Sequence, residues 1–371
     1  MKYVVFIAGS GGIGSAVGML LRLLWEHDVD LILGDISSSN AEKAKAEIEA
    51  AGAAAGRITT LDMSTSWEEG VVDADILLDC LPGKFAPKMA KVALKNNMHY
   101  VNLTEYVAET KEILSLAKGA SVGLALQAGL APGFVNVLGH GLFKDFCEEF
   151  SVEKAERLEM RVGALGRNAV APHFYAFTWS PIGVATEYIK DAEILRDYKM
   201  TRVASLSETK TLLINGRVYE EAYTSGGAAD IPIALAGRVR HVDYKTLRYP
   251  GHFRWIKNTL ERCPNFQNPV QYLESYMLAN IPRVEEDEVI IYTAVEGFDQ
   301  QGSLHRREVD YRVLPLQLQN GRLRAIQSTT AAGMAECARI LLTEDIQGPL
   351  LQSQIDPKSY LSGPFVSAIY K

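Results

Sequence analysis

The decapeptide Asp243–His252, DYKTLRYPGH, gathers a lysine, an arginine, a histidine and two tyrosines in one short run, just after the polar loop Glu221–Asp230, EAYTSGGAAD. Arg248 carries a planar fork of donors that suits a carboxylate. His252 titrates near neutrality by its intrinsic acidity, and Lys245 handles protons only where desolvation or a neighbouring cation lowers its pKa. Thr224, Ser225, Gly226 and Gly227 offer hydroxyl and backbone donors. Such a set binds an anionic group and moves a proton. Far upstream, Gly9-Ser10-Gly11-Gly12-Ile13-Gly14 fits G-x-G-x-x-G, whose backbone N–H groups receive a phosphate at a helix start. A plainer account of the decapeptide is also open. In a regular strand Asp243, Lys245 and Leu247 share one face while Tyr244, Thr246 and Arg248 share the other, so Lys245 and Arg248 cannot both line one pocket. His252 equally reads as the first residue of a helix, HFRWIKNTL.

The elements around the glycine turn are those of a nucleotide-binding sheet. An apolar, β-branched run, Tyr3–Ala8, suits a parallel strand buried on both faces, and a helical pattern follows the turn through Trp25. Gly9 permits the tight turn, Gly11 the approach of a pyrophosphate, and Gly14 close packing of helix on strand. A second strand, DLILGD, ends at Asp35, about 20 residues beyond the turn, where a carboxylate accepts from an adenosine ribose and repels a 2′-phosphate. No arginine follows in DISSSN, so NAD is expected as cofactor and NADP is the less favoured choice. The alternation continues through a charged helix with Ser39 as N-cap and strands RITTLD, DILLDCLPGK, HYVNLTEY and VGLALQAG. Ligands of a doubly wound sheet lie beyond the strands' carboxyl ends. That rule adds Ile36, Asp62, Met63, Leu81, Pro82, Gly83, Leu103 and Thr104 to the expected cofactor surface, with Glu105 and Tyr106 facing the substrate.

After Ala128 the pattern changes. GLAPGFVNVLGHGLFKDF reads as a turn and a helix with Pro132 near its first position, and strands then dominate, with Asn215-Gly216 and Asn320-Gly321 marking hairpins. Helices are expected over Pro181–Lys190, His252–Glu261 and Pro269–Leu278, and the acidic run Glu285–Glu288 reads as a solvated loop. The expected architecture is α/β. A Rossmann-type doubly wound parallel sheet spans residues 1–128, and an α+β substrate domain with a mixed, largely antiparallel sheet spans 129–327. A helical segment over 328–371 is expected to return to the first domain. The composition, 47% hydrophobic and 22% charged, is that of a globular protein, and a formal net charge of −7 argues against nucleic-acid or anionic-membrane partners. Four scattered cysteines fit a reducing cytoplasm and give no metal-ligand spacing, so no metal is expected. KYVVFIAG runs directly into the glycine turn rather than a cleavage site, and no apolar run is long enough to cross a bilayer.

The segments GLAPGFVNVLGHGL and EAYTSGGAADIPIALAGRVRHVDYKTLRYPGH, with LPG after the fourth strand, resemble the saccharopine dehydrogenase-like oxidoreductases over nearly the whole chain. The resemblance implies an NAD(P)-binding domain, a lid-like substrate domain, a homodimer, and redox chemistry at a carbon–nitrogen bond. Where relatives often carry Val-Asp after the fifth strand, this chain has Val101-Asn102. The nearest likeness is to the branch that deaminates L-lysine at its 6-amino group, giving the semialdehyde or its cyclic imine. A small amino acid or amine is then the partner, Arg248 its carboxylate clamp, Glu105 a receiver of its ammonium, and Lys245 or His252 the proton carrier. Two rivals remain: a saccharopine- or carboxynorspermidine-type imine reductase, and a dinucleotide-sensing protein without catalysis.

Overall fold

Strand β1 (Lys2–Ala8) is buried along nearly its whole length, and helix α1 (Gly12–Leu24) follows the glycine turn. Then come β2 (Asp28–Asp35), α2 (Ser38–Ala50), β3 (Ile58–Asp62), β4 (Ile76–Asp79), α3 (Ala86–Lys95), β5 (His99–Asn102), α4 (Val107–Leu116) and β6 (Gly123–Ala125). Helix α5 (Phe134–Phe150) leads to β7 (Ala155–Gly166), α6 (Pro181–Ile189), β8 (Ala192–Arg196), β9 (Lys199–Val203), β10 (Lys210–Ile214), β11 (Arg217–Tyr223), α7 (Ile231–Ala234) and β12 (Val239–Arg248). After α8 (His252–Leu260) and α9 (Pro269–Asn280) run β13 (Asp287–Phe298), β14 (Leu304–Val313), β15 (Leu316–Gln317) and β16 (Arg322–Leu323). Helices α10 (Ala325–Thr343), α11 (Pro357–Ser362) and α12 (Pro364–Ile369), with β17 (Gly348–Leu350) between the first two, complete the chain. This computed structural model describes residues 2–52, 56–65, 67–264 and 266–371.

The chain divides into two units, the first formed by Met1–Phe134, Leu316–Leu323 and Gln327–Lys371, the second by Val135–Pro315 and Arg324–Ile326. The first unit carries a seven-stranded parallel sheet in the order β17-β6-β5-β4-β1-β2-β3, the doubly wound arrangement expected from the alternating pattern. Strand β17 has only three residues, one of them proline, and no periodicity marks it in the sequence. Helix α2 begins two residues earlier than its composition suggests. Ser37, not Ser39, is its N-cap, and Asp35 Oδ1 accepts the Ser37 N–H at 2.9 Å while Ser39 lies inside the first turn. Pro132 precedes α5 by two residues, within the turn that crosses Gly129.

The second unit is a mixed sheet whose main path is β10-β11-β12-β7-β13-β14, with β8 and β9 paired off β12. The central pair, β12 with β7, is parallel and the others are antiparallel. One face packs on the helical cluster of Tyr175, Val184, Tyr188, Phe253, Ile256 and Leu273. On the other, Leu165, Tyr219, Leu247, Ile290 and Tyr292 cluster. The Asn215 amide, in the β10–β11 turn, bonds Asp310 on the opposite edge strand, so the sheet is rolled upon itself.

That roll explains why the acidic run departs from expectation. Glu285 is exposed, but Asp287 and Glu288 are the first residues of β13 and fully buried. Glu288 accepts from Arg312 Nε at 2.7 Å, Tyr249 OH at 2.8 Å and Arg217 Nη1 at 3.3 Å. Asp287 accepts the Ala325 and Ile326 N–H groups at 2.7 and 2.9 Å and so caps the start of α10.

Small residues let α10 lie close to the turn over 128–133: a Cβ on Gly333 would stand 2.9 Å from the Ala128 carbonyl oxygen. Its Glu336 side chain, fully buried, pairs with Arg339 and accepts from Phe365 N at 3.1 Å at the head of α12. Tyr370 stacks on Phe134 with ring centroids 3.5 Å apart and donates to the Thr329 carbonyl at 2.8 Å. Glu336→Ala strands the Phe365 N–H and leaves Arg339 without this partner. It should cost about 2–4 kcal/mol in urea unfolding and expose the C-terminal helices to limited proteolysis. Glu336→Gln, which retains an acceptor, should lose clearly less.

Candidate functional site

All strands of a parallel sheet end along one edge, and in the first unit that edge collects the expected cofactor residues. Gly9 follows β1 with φ +95°, and its N–H donates to the Gly34 carbonyl at 2.8 Å. A Cβ there would meet the Cys80 backbone at 3.0 Å, and one on Gly14 would overlap the Gly9 carbonyl. Around a Cβ on Gly11, by contrast, nothing lies within 4 Å. Helix α1 starts there with no side-chain cap and no acid in its first turn, and Ile13 is half-buried beside it. An uncapped 13-residue helix behind a glycine turn with open space at its second glycine fits a pyrophosphate. Gln327, from α10, lies against the turn and donates to the Gly12 carbonyl at 3.0 Å. Nothing near it in the sequence ties that glutamine to a turn some 300 residues away.

Asp35 ends β2 and is buried. Its Oδ2 accepts the Ser10 N–H at 3.0 Å, and Ser10 Oγ donates to the Gly34 carbonyl at 3.1 Å. The carboxylate therefore holds the glycine turn itself, besides capping the Ser37 N–H. Ile36 beside it is exposed. Asp62, at the end of β3, is also exposed, and its bonds from the Ser64 side chain and N–H hold its carboxyl below the usual range. Met63 N donates to the Asp35 carbonyl at 2.9 Å. Leu81 N donates to Asp79 Oδ1 at 3.0 Å, and Pro82 O accepts from Phe85 N at 2.9 Å. A Cβ on Gly83 would overlap Thr104 Oγ1, and that hydroxyl accepts the Tyr106 N–H at 3.3 Å. Leu103, Glu105 and Tyr106 are half-buried along the same edge, Tyr106 as the N-cap of α4.

In the second unit, β12 runs regularly through the decapeptide, so its side chains alternate between two surroundings. On one face Arg161 is almost fully buried and ion-paired with Glu221 and Asp243, each at 2.5 Å. Burial pushes the Asp243 carboxyl up, but Arg161 and Lys245 together hold it below the ordinary range. Lys245 donates to Glu221 Oε1 at 2.8 Å and to the Glu208 carbonyl at 3.2 Å, with its ammonium 4.6 Å from the centre of the Tyr223 ring.

The other face carries Tyr244, Thr246 and Arg248, and it is here that the Thr224–Gly227 loop packs. Thr224 and Thr246 hydroxyls lie 2.7 Å apart, a Cβ on Gly227 would overlap the Tyr244 ring, and Gly227 O accepts from Asn136 Nδ2 at 3.0 Å. Gly226 takes φ +91° and Ser225 N donates to the Glu187 carbonyl at 3.0 Å. Arg248 uses all three nitrogens: Nε to Tyr188 OH at 2.6 Å, Nη1 to the Leu247 carbonyl at 2.9 Å, and Nη2 to Glu187 Oε1 at 3.0 Å. Its guanidinium also lies 4.8 Å from the Tyr175 ring centre. Lys245 therefore does not share a site with Arg248, because the strand turns the two to different faces, and His252 lies with Arg248 through Tyr188.

His252 is fully buried, and its hydrogen bonds determine its tautomer. Nδ1 lies 2.7 Å from the His173 carbonyl, which only accepts, so Nδ1 carries the proton and neutral Nε2 accepts. Tyr188 OH, 3.1 Å from Nε2, is then the donor to it and accepts from Arg248 Nε in turn. The result is a directed chain from Arg248 through Tyr188 and His252 to His173. Burial, reinforced by the Arg248 charge, pushes the imidazole down to about 3 from its ordinary 6.5. A group so placed orients its neighbours. Near pH 7 it is neutral.

The unfolded chain protonates this histidine below pH 6.5, whereas the native fold does so only near 3. The His252 contribution to stability is therefore complete above pH 6.5 and declines as pH falls toward 3, by about 1.4 kcal/mol per unit at its steepest. The difference in stability between wild type and His252→Asn, followed by urea unfolding from pH 7.5 to 5, should show this slope. His252→Asn, which retains a donor toward His173, should lower stability at pH 7.5 yet lack the histidine's share of the acid slope.

Among the described residues, no group of histidine, cysteine, aspartate and glutamate has the arrangement of a metal site, and no helix is long and apolar enough to cross a membrane. A family model described as the saccharopine dehydrogenase NADP binding domain matches residues 5–126, and one described as the saccharopine dehydrogenase C-terminal domain matches 129–363. Saccharopine dehydrogenase (L-Glu forming) from Saccharomyces cerevisiae shares the fold with TM-score 0.73 and 14% identity, over 99% of this chain and 98% of that one. Homospermidine synthase from Legionella pneumophila, solved in complex with NAD, aligns with TM-score 0.65 and 13% identity over 100% of this chain and 90% of its own. With both domain models matched in order along nearly all of its length, this chain belongs to the saccharopine dehydrogenase family of NAD(P)-binding oxidoreductases.

Proposed function

We propose that the protein oxidises the carbon–nitrogen bond of a basic amino acid with NAD, L-lysine being the leading substrate. The balanced reaction takes R–CH2–NH3⁺, NAD⁺ and water to R–CHO, NADH, NH4⁺ and H⁺. The bound nicotinamide would accept a hydride from the carbon bearing nitrogen. Gly9 to Gly14, with the open head of α1, would hold the pyrophosphate. Asp35 keeps that turn in shape and would accept from the adenosine ribose, which supports NAD over NADP although the matched domain model is described as NADP-binding.

The observation that carries the substrate reading is the buried Arg248–Glu187 pair beside the Thr224–Gly227 loop. Together the two charges sum to zero. An amino-acid head group is itself a zwitterion, so it can exchange partners with the pair, carboxylate to Arg248 and ammonium to Glu187, without burying net charge. A lone carboxylate would instead crowd Glu187. Tyr188 and His252 fix the guanidinium's orientation, a positioning role that differs from the proton transfer the sequence suggested for His252. Lys245, held by Glu221, is read the same way, so the amine would lose its proton to water.

A second reading, imine reduction joining an amine to an aldehyde or keto acid, is supported by the fold likeness to saccharopine dehydrogenase and homospermidine synthase. One assay series separates the two. Purified protein with L-lysine and NAD should form reduced nicotinamide and release ammonia in equal amounts. If reduced nicotinamide is consumed only when lysine is offered with a keto acid or aldehyde, the reductase reading replaces it. Arg248→Lys should raise KM for the amino acid about tenfold or more, because an ammonium cannot replace the planar fork, and should leave the dinucleotide Kd unchanged.

A further inference from the structure

Asp79, the last residue of β4, is buried to within 2% of its surface and stands just before Leu81, Pro82 and Gly83 on the edge where the strands end. Its Oδ1 accepts the Leu81 N–H at 3.0 Å. Its Oδ2 lies 2.8 Å from the Tyr100 hydroxyl oxygen, which is also 3.1 Å from the Ala86 carbonyl. A phenol has one proton, and the Ala86 carbonyl can only accept. If Tyr100 donates to an ionised Asp79, its contact with Ala86 is left without a hydrogen. If Tyr100 donates to Ala86, the proton in the other contact must come from Asp79. Both contacts are hydrogen bonds only when the Asp79 carboxyl is protonated.

The surroundings agree. From β1 the register partner of Asp79 is Ala8, and from β5 it is Asn102, neither of them charged. Asn102 Oδ1 accepts the Gln127 N–H at 2.8 Å. Among the described residues the titratable groups facing Asp79 are Tyr100 from β5 and Cys80, which follows β4; α3 contributes the Ala86 carbonyl. No cation among them offsets the burial, which pushes the carboxyl up to about 7 against the bonds from Tyr100 and Leu81.

Resting on the reading that the glycine turn holds a nicotinamide dinucleotide, we propose that Asp79 makes the preference for oxidised over reduced cofactor depend on pH. The oxidised ring carries one positive charge more than the reduced ring, and the two forms are otherwise alike. An ionised Asp79 at this edge favours the oxidised form, so binding of that form releases the Asp79 proton, while binding of the reduced form leaves it in place. Alkaline conditions thereby bias the site toward the cofactor that amine oxidation consumes.

The test uses the full-length protein without amino-acid substrate, titrated calorimetrically with the oxidised and the reduced dinucleotide from pH 6 to 8.5 in buffers of different ionisation heat. The ratio of reduced to oxidised Kd should climb about three- to tenfold across this range, with proton release on binding the oxidised form near pH 7 and none on binding the reduced form. Asp79→Asn preserves an acceptor for Leu81 and supplies a donor to Tyr100, and should give a flat ratio and no proton release. Should it fail to fold, Tyr100→Phe retains the carboxyl, removes the hydroxyl that bonds it, and should shift the pH at which the climb occurs. A wild-type ratio independent of pH, or an unchanged climb in Asp79→Asn, overturns the proposal. Failure of wild-type protein to bind either dinucleotide overturns the cofactor reading beneath it instead.

Discussion

Every charge on the inner length of β12 is buried, and a buried charge must bring its opposite with it. That constraint organises the second unit. Arg161 stands between Glu221 and Asp243, Lys245 shares Glu221 with it, and Arg248 has Glu187. Because the strand alternates, the first three of these pairings fall on one face and the last on the other. The face with Arg161 is closed by the rolled sheet. The face with Arg248 has aromatic rings and hydroxyls around a neutral ion pair, and Glu187 is its more accessible member, 12% exposed against 2% for Arg248. The dipolar head group proposed as ligand would bind on that face, whereas Lys245 is enclosed with Glu221 and the Glu208 carbonyl.

The first unit meets a different constraint with the same economy of groups. A helix start left open for phosphate is also an unsatisfied one, and the loop before it has to be held by something other than a cap. Asp35 and Gln327 do this from outside the turn, one at the Ser10 N–H and the other at the Gly12 carbonyl. The carboxylate at the end of β2 is thus a part of the turn, accepting from Ser10 N and Ser37 N, so any ligand that reached it would also meet the group that shapes the glycine loop.

What the sequence made legible follows from locality. Parallel strands buried on both faces print continuous apolar runs, and Asn-Gly pairs mark tight hairpins, so the doubly wound sheet and the mixed character of the second were readable. Short elements were not: β17, Gly348-Pro349-Leu350, has too few residues for any period. The acidic run misled because charge predicts solvent only where partners are absent, and those of Glu288 lie 24 to 71 residues away. The Arg248 cluster was half visible. Its arginine and histidine stand out in the decapeptide, but Glu187, Tyr188 and the His173 carbonyl are 60 to 79 residues upstream. Only the fold could reveal that His252 Nε2 faces the Tyr188 hydroxyl.

His252 and Asp79 are both buried in their neutral forms, yet their effects on acid stability are opposite in sign. For the histidine, neutral means deprotonated, so the native state holds less proton than the unfolded chain between about 3 and 6.5. For the aspartate, neutral means protonated, so the native state holds more between 3.8 and about 7. Over the range the two share, stability lost through one is regained through the other. The two contributions thus offset each other within the wild-type acid profile, and either residue, removed singly, exposes the share of the other.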